Sequence, residues 1–249
     1  MTRTDPVALA DLRGAFGLLT RLPFGGPGRG ARSAWAWPFA GAVVGALAGA
    51  VGIAVLALGV PVGMAAALVL AVQAVLTGAL HEDGLADTFD GLWGGRDPAQ
   101  RLEIMKDSRV GSYGVLALGL VGLARWSALT EILAEPGAFG ALVAVGALSR
   151  VPMASVMAAL PSARAGGLSR LVGRPGWTTV WLGMLVGVAL AMPGAGWGVV
   201  PAAVAIAGVT VGLAMVAKAR IGGQTGDILG AAQQLAEVVV LAVLAARLG

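Results

Sequence analysis

The chain has 249 residues, of which 57% are hydrophobic, only 12% are charged and 40 are glycine. A soluble domain carries about 25% charged residues, so this chain cannot cover a globule with polar surface and its solvent must be lipid. The net charge of +4 does not argue for nucleic acid, because basic loops on one face of a membrane protein give the same excess. Cysteine is absent and histidine occurs once, which excludes disulfides, thiolate chemistry and His-rich metal sites. A metal here would be held by oxygen, favouring magnesium, calcium or manganese.

Residues 1–37 form a basic arm with Arg3, Arg13, Arg21, Arg29 and Arg32 and no long apolar core, so they do not read as a signal peptide. Leu9, Leu12, Phe16 and Leu19 recur at helical spacing and predict a helix lying on the membrane surface or packed on the bundle. A spanning helix needs about 20 apolar residues. By that measure seven spans are expected, at about Pro38–Val60, Val62–Leu80, Gly111–Leu133, Phe139–Leu160, Thr178–Met192, Gly198–Ala217 and Leu229–Leu248. The fifth is the shortest. The fold expected is therefore an all-α polytopic bundle, a single membrane domain over 1–249.

The connections alternate in charge. The arm, 81–110, 161–177 and 218–228 hold 14 of the 17 Lys and Arg. The three other turns hold none, so the basic side is expected to face the cytoplasm. Gly41, Gly45, Gly49 and Gly52 make a small-residue ridge for close helix packing, repeated at Gly183 and Gly187.

Directly after the second span comes His81-Glu82-Asp83-Gly84-Leu85-Ala86-Asp87-Thr88-Phe89-Asp90-Gly91, with no Lys or Arg between Ser33 and Gly95. On a continuous helix Asp83, Asp87 and Asp90 share one face within about 60° of arc. Like charges so placed repel, by about 0.2–0.5 kcal/mol per pair, and a divalent cation would turn the repulsion into ligation. One ion cannot readily bind both Asp83 and Asp90, about 10 Å apart along the axis. Asp83 with Asp87, or Asp87 with Asp90, can share one, with Asp107 joining from the next element. The other reading is a solvated acidic loop.

Lys106-Asp107-Ser108-Arg109 opens the third span and offers Asp107 to a metal and Lys106 and Arg109 to phosphate, or else simply anchors the helix. Gly222-Gly223-Gln224-Thr225-Gly226-Asp227 precedes the last span. It supplies free N–H groups for an anion, unless Thr225 or Asp227 merely caps the helix. Arg125, Arg150 and Glu237 lie inside spans, where ionisable groups pair or serve function. Arg150 either pairs with Glu237 or reaches an anionic substrate. His81 reads as a helix-end hydrogen-bonder or a general base.

These residues together resemble the cobalamin-5′-phosphate synthase (adenosylcobinamide-GDP ribazoletransferase) family. The resemblance runs from Leu19-Thr20-Arg21-Leu22-Pro23, Trp37-Pro38 and Gly41 through the acidic segment, Arg101 and Lys106–Gly111 with Gly114. It ends in Gly222–Asp227, Gly230, Gln234 and Glu237. Glu82 stands where the family commonly has an apolar residue. The resemblance implies a magnesium-dependent step in late cobalamin biosynthesis, in a bacterial inner membrane. Adenosylcobinamide-GDP and α-ribazole or its 5′-phosphate would give adenosylcobalamin or its phosphate, plus GMP, by attack of a ribose hydroxyl on phosphorus. It places the metal and the chemistry on Asp83, Asp87, Asp90 and Asp107. The substrates fall to His81, Lys106, Arg109, Arg150, Gly223, Thr225 and Asp227. A homo-oligomer is compatible with it. A CDP-alcohol phosphatidyltransferase is the nearest rival, but Ala86 stands where that signature wants arginine. A cation-coupled transporter would want acids at the bilayer midplane and duplicated halves, which the sequence does not have.

Overall fold

The structure, a computed structural model, describes residues 7–247. Arg3 and Leu248, the expected end of the last span, lie outside them. Among the described residues the only regular secondary structure is helical. Five stretches are long and apolar enough to cross a membrane: 30–57, 112–133, 138–159, 177–221 and 226–245. The fourth is 45 residues long, about 67 Å of helix at 1.5 Å per residue and twice the hydrocarbon thickness. It folds back at Gly196 (φ +51°) into α10 (Trp177–Ala195) and α11 (Val199–Ile221). Gly194 packs on Gly140, and Gly198 packs on Leu244 at the far end of the last helix, α12 (Gly226–Ala245). The fifth span is thus longer than its sequence reading.

The arm packs as α1 (Leu9–Leu19) on a 3-10 turn over Gly30–Ala36. Asp11 is the tie. Its buried carboxylate accepts from Arg29 Nε (2.8 Å) and Nη2 (2.6 Å), Ser33 Oγ (3.0 Å) and Trp35 Nε1 (2.7 Å). Burial alone would raise its pKa. The hydrogen bonds from Arg29, Trp35, Ala8 and Ser33 outweigh burial and bring it to about 2. Ala15 and Leu19 are buried, whereas Leu9 is exposed, so the apolar face of α1 begins one turn later than its spacing suggested.

The glycine ridge does what its spacing predicted. On α2 (Trp37–Ala57), Gly41 and Gly45 meet the backbone of α7 (Ala138–Ser149) at Gly146 and Leu142, where any Cβ would collide with a carbonyl. The expected fourth span is α7 followed, after Arg150, by α8 (Val151–Ala159). The lipid-facing surfaces are apolar. Leu116, Leu120 and Leu123 are exposed on α6 (Ser112–Leu133), as are Val204 and Val211 on α11. Trp181 in the early part of α10 and Trp197 in the turn just after it stand exposed, as in interfacial aromatic belts.

The second span is corrected. Its helix, α3 (Val62–Thr77), stops after 16 residues, and the chain turns by 91° into α4 (Leu80–Gly94). Gly78 (φ +65°) and Ala79 (φ +55°) are both left-handed, a conformation alanine seldom adopts. The N–H of Ala79 bonds back to the Ala74 carbonyl at 2.7 Å, and the Arg21 N–H bonds to that of Leu76 at 2.7 Å. The acidic segment therefore does not extend the span but lies across the bundle at its basic-loop end. α4 continues through α5 (Pro98–Ile104) to α6, and α9 (Leu168–Val172) lies in the 161–177 connection.

Inside the bundle Arg125 on α6 joins four side chains from three helices. It donates to Gln73 (2.8 Å), Gln234 (2.8 Å), Glu237 (2.8 Å) and Glu82 (3.3 Å). Arg150 adds a second contact to Glu237 at 3.5 Å, and Gln233 donates to it at 2.6 Å. The Arg150–Glu237 pairing is present, at 3% and 2% exposure. Arg150, the other expected substrate ligand, has its Nη1 engaged by Glu237, Ser149 and the Gly146 carbonyl.

Two variants test this frame. Arg125→Met leaves the buried Glu237 and the half-buried Glu82 with reduced compensation, and should lower unfolding free energy in detergent by about 3 kcal/mol; an unchanged midpoint would remove the network from the folding argument. Gly84→Ala, at the point where α4 touches α12, puts a Cβ 2.9 Å from the Asp227 carbonyl oxygen. It should cost about 1–3 kcal/mol by forcing the backbones apart, read by the same titration.

Candidate active site

α4 and the first turn of α12 cross with almost nothing between them. A Cβ on Gly84 would meet Gly230 Cα at 3.1 Å and Asp227 Cα at 3.2 Å. The crossing brings acids 144 residues apart in sequence to one place: Asp83 and Asp227 line the same cavity, of about 150 Å³. Asp87 is half-buried beside them. Burial first, then the charges of Asp83 and Asp227, push its carboxyl up to about 7, against the pull of Arg164.

The cavity is closed on one side by the loop after α8. Its backbone pairs with the glycine-rich turn, Gln224 N–H to the Pro161 carbonyl and Ala163 N–H to that of Gln224, both at 2.8 Å. Gly223 lies so close to the Pro161 carbonyl that no side chain fits there. Its role is thus to let two loops meet. Thr225 caps α12, accepting from Ile228 N–H at 3.3 Å, and its hydroxyl donates to Asp227 at 3.1 Å. The loop carries Arg164, whose Nη1 lies 3.0 Å from Asp227 Oδ2. Arg164 was counted in the sequence only as a basic-side residue; nothing in its spacing revealed that it enters the site.

The four expected metal aspartates are not brought together. Asp90 is buried, and its two oxygens accept the N–H groups of Gly111 (2.7 Å) and Gly114 (2.9 Å) at the start of α6. A Cβ on either glycine would strike that carboxylate, which explains both glycines of the motif. Asp107 forms an exposed ion pair with Arg109 at 2.6 Å, whose hydrogen bonds hold it below the usual carboxylate range. Asp90, Asp107 and Arg109 line a second, more open cavity on the α6 side of α4. Lys106 is exposed and lines neither. His81 lines the first cavity with its ring buried and Nε2 unpartnered. Burial, with Arg150 and Arg125 nearby, holds it well below its ordinary pKa and so neutral.

The donor set bears on magnesium. Among the described residues no three His, Asp or Glu converge closely enough to hold a metal alone. Magnesium rarely uses such a cage: one or two carboxylates, waters and substrate phosphates suffice. Asp83, Asp87 and Asp227 against the single charge of Arg164 leave a negative excess beside an open mouth, which fits a cation arriving with a phosphorylated substrate.

The family model for cobalamin-5-phosphate synthase matches residues 11–245. Two relatives named adenosylcobinamide-GDP ribazoletransferase, from Brucella anthropi and Bradyrhizobium diazoefficiens, are each 44% identical to the chain. The matches cover 94% and 98% of this chain and 95% and 96% of theirs. One of the same name from a Sinorhizobium species is 41% identical over 94% of this chain and 95% of its own. No solved structure matches. With its matched region running from α1 to the end of α12, the chain belongs to the cobalamin-5-phosphate synthase family.

Proposed function

We propose that the chain is a transferase of cobalamin biosynthesis that joins adenosylcobinamide-GDP to α-ribazole or its 5′-phosphate and releases GMP, at the crossing of α4 and α12. The observation that carries this reading is the convergence of Asp83, Asp87 and Asp227 with Arg164 at a cavity mouth beside a helix N-terminus. Phosphoryl transfer needs little covalent help from protein and much charge stabilisation and positioning. Arg164 and the first turn of α12 supply cationic and N–H contacts for phosphate oxygens. Asp83 and Asp87, with Asp227 across the crossing, would hold a magnesium ion, which neutralises diphosphate charge when bound. Asp90 serves in this reading by fixing the start of α6. Both its oxygens are already engaged by N–H groups.

The cavity lies among the basic connections, with Arg164 and the 218–228 turn at its edge. By the positive-inside rule the site faces the cytoplasm of a bacterial inner membrane, where water-soluble nucleotides are available.

Purified protein in detergent should release GMP from adenosylcobinamide-GDP only when α-ribazole or its phosphate and magnesium are both present. Folded protein that releases none would reject the enzyme reading. Asp83→Asn and Asp87→Asn should each lower the rate by at least about 100-fold with unfolding midpoints near wild type, whereas Asp90→Ala should chiefly lower the midpoint. Near-normal turnover in the first two would take the metal away from α4.

A further inference from the structure

The cavity is too small for what the transferase reading puts in it. A void of about 150 Å³ holds a benzene-sized ring, and this one has that volume, whereas a nucleoside is a base and a sugar together. One wall must move, and the walls are not equally held. α4 and α12 touch backbone to backbone at Gly84 and Gly230, and Arg125 bonds to both helices. α1 is tied through Asp11 to Arg29, Ser33 and Trp35. α9 gives the cavity Leu168, Ser169 and Val172 and has no such tie. Among the described residues, 165–173 make no hydrogen bond or ion pair to another segment. The backbone N–H groups of Leu171 and Gly173 return to Gly167 and Ser169.

The segment is anchored at its two ends instead. Arg164 pairs with Asp227 at 3.0 Å, and Arg174 donates to the Ala158 carbonyl. Between these anchors α9 is flanked by Gly167 (φ +102°, ψ 168°) and Gly173 (φ +90°, ψ −177°), a backbone region essentially confined to glycine. A Cβ built on Gly166 or Gly167 meets nothing within 4 Å, so crowding does not call for glycine there. Backbone freedom does, as at the few positions that absorb the φ/ψ change of a closing lid.

Behind α9 there is room to move. A second hollow, of about 390 Å³, lies between α9 and the arm, with Leu171 and Val172 on one side and Gly14, Gly17 and Gly28 on the other. Gly14 and Gly28 pack backbone to backbone, so this floor is fixed. Val172 lines both spaces, which makes α9 the partition between them. Leu171, at the edge of the hollow, is 84% exposed. We propose that α9 is a gate: hinged at Gly167 and Gly173, it shifts toward the arm, seats Leu171 in the glycine-floored hollow and opens the acidic cavity to substrate. This rests on the transferase reading above and adds how its site is filled.

The chain has no cysteine, so Leu171→Cys in the full-length protein carries a single thiol. Its labelling by a maleimide should slow severalfold when α-ribazole alone is added, because the gate then covers it. The thiol of Ala134→Cys, in the exposed turn after α6, should label at an unchanged rate. Leu171→Asp puts a charge on α9 that the hollow would have to desolvate. If the open fraction falls tenfold, kcat/KM for α-ribazole should fall about tenfold with kcat little changed. Leu171→Met should restore it. The side chain is exposed at rest, so all three variants at this position should unfold at the wild-type midpoint. Labelling that ignores α-ribazole, or wild-type kinetics in Leu171→Asp, would overturn the gate. So would a slowed Leu171→Asp whose midpoint has dropped, since packing would then explain it. GMP release by the wild type separates these outcomes from failure of the transferase reading, which no result at Leu171 touches.

Discussion

The arrangement depends on one buried cation, Arg125. Its guanidinium ties Glu82 of α4 to Gln234 and Glu237 of α12 and to Gln73 of α3, in an interior where an unpaired charge is expensive. Along α12, Asp227, Gly230, Gln234 and Glu237 fall three to four residues apart and so make one stripe. The stripe has three successive tasks: an acid at the cavity mouth, a bare backbone where α4 crosses, and an anchor below. Holding the anchor fixes the rotation of α12, and with it the direction in which Asp227 points. A planar guanidinium with five donors in a fixed fork can do this; an ammonium cannot. Glu82 gives Arg125 its contact on α4, at 3.3 Å.

Much of the bundle was legible because lipid imposes simple rules. Apolar length located most of the helices, and glycine spacing marked the packing ridge of α2, though not α7 as its partner. The Arg150–Glu237 pair was legible too, because two opposite charges in spans have few other partners. What stayed hidden was three-dimensional. A helical wheel places Asp83, Asp87 and Asp90 on one face, but α4 is wedged between α12 and α6, and a spread of some 60° is enough to divide them. Asp83 turns to α12 and Asp90 to the N–H groups of Gly111 and Gly114. Arg164 was invisible for a different reason. Its importance comes from a loop pairing with Gln224, a contact between segments 60 residues apart.

The basic loops also serve more than topology. Arg174 donates to the Ala158 carbonyl at the end of α8, Arg220 to that of Leu92 near the end of α4, and Arg101 to those of Gly95 and Arg220. Helix C-termini leave carbonyls unsatisfied and carry partial negative charge, so an arginine there is stabilising for local reasons. Three of the fourteen basic residues on these connections thus close helix ends on the side of the site.

The bend at Gly78–Ala79 can be weighed in the same terms. A straight continuation of α3 beyond its 16 residues would carry the acidic turn on along the span axis, out of the bundle and away from α12. Holding Ala79 left-handed costs about 1–2 kcal/mol, reduced by the N–H bonds to Ala74 and Val75 and by the Arg21 bond to Leu76. Turning by 91° therefore sets a small local strain against the packing of α4 on the bundle. It lays α4 across the end of α12, where Gly84 meets Gly230, and so the same two left-handed residues that end the span also bring Asp83 to the cavity it lines.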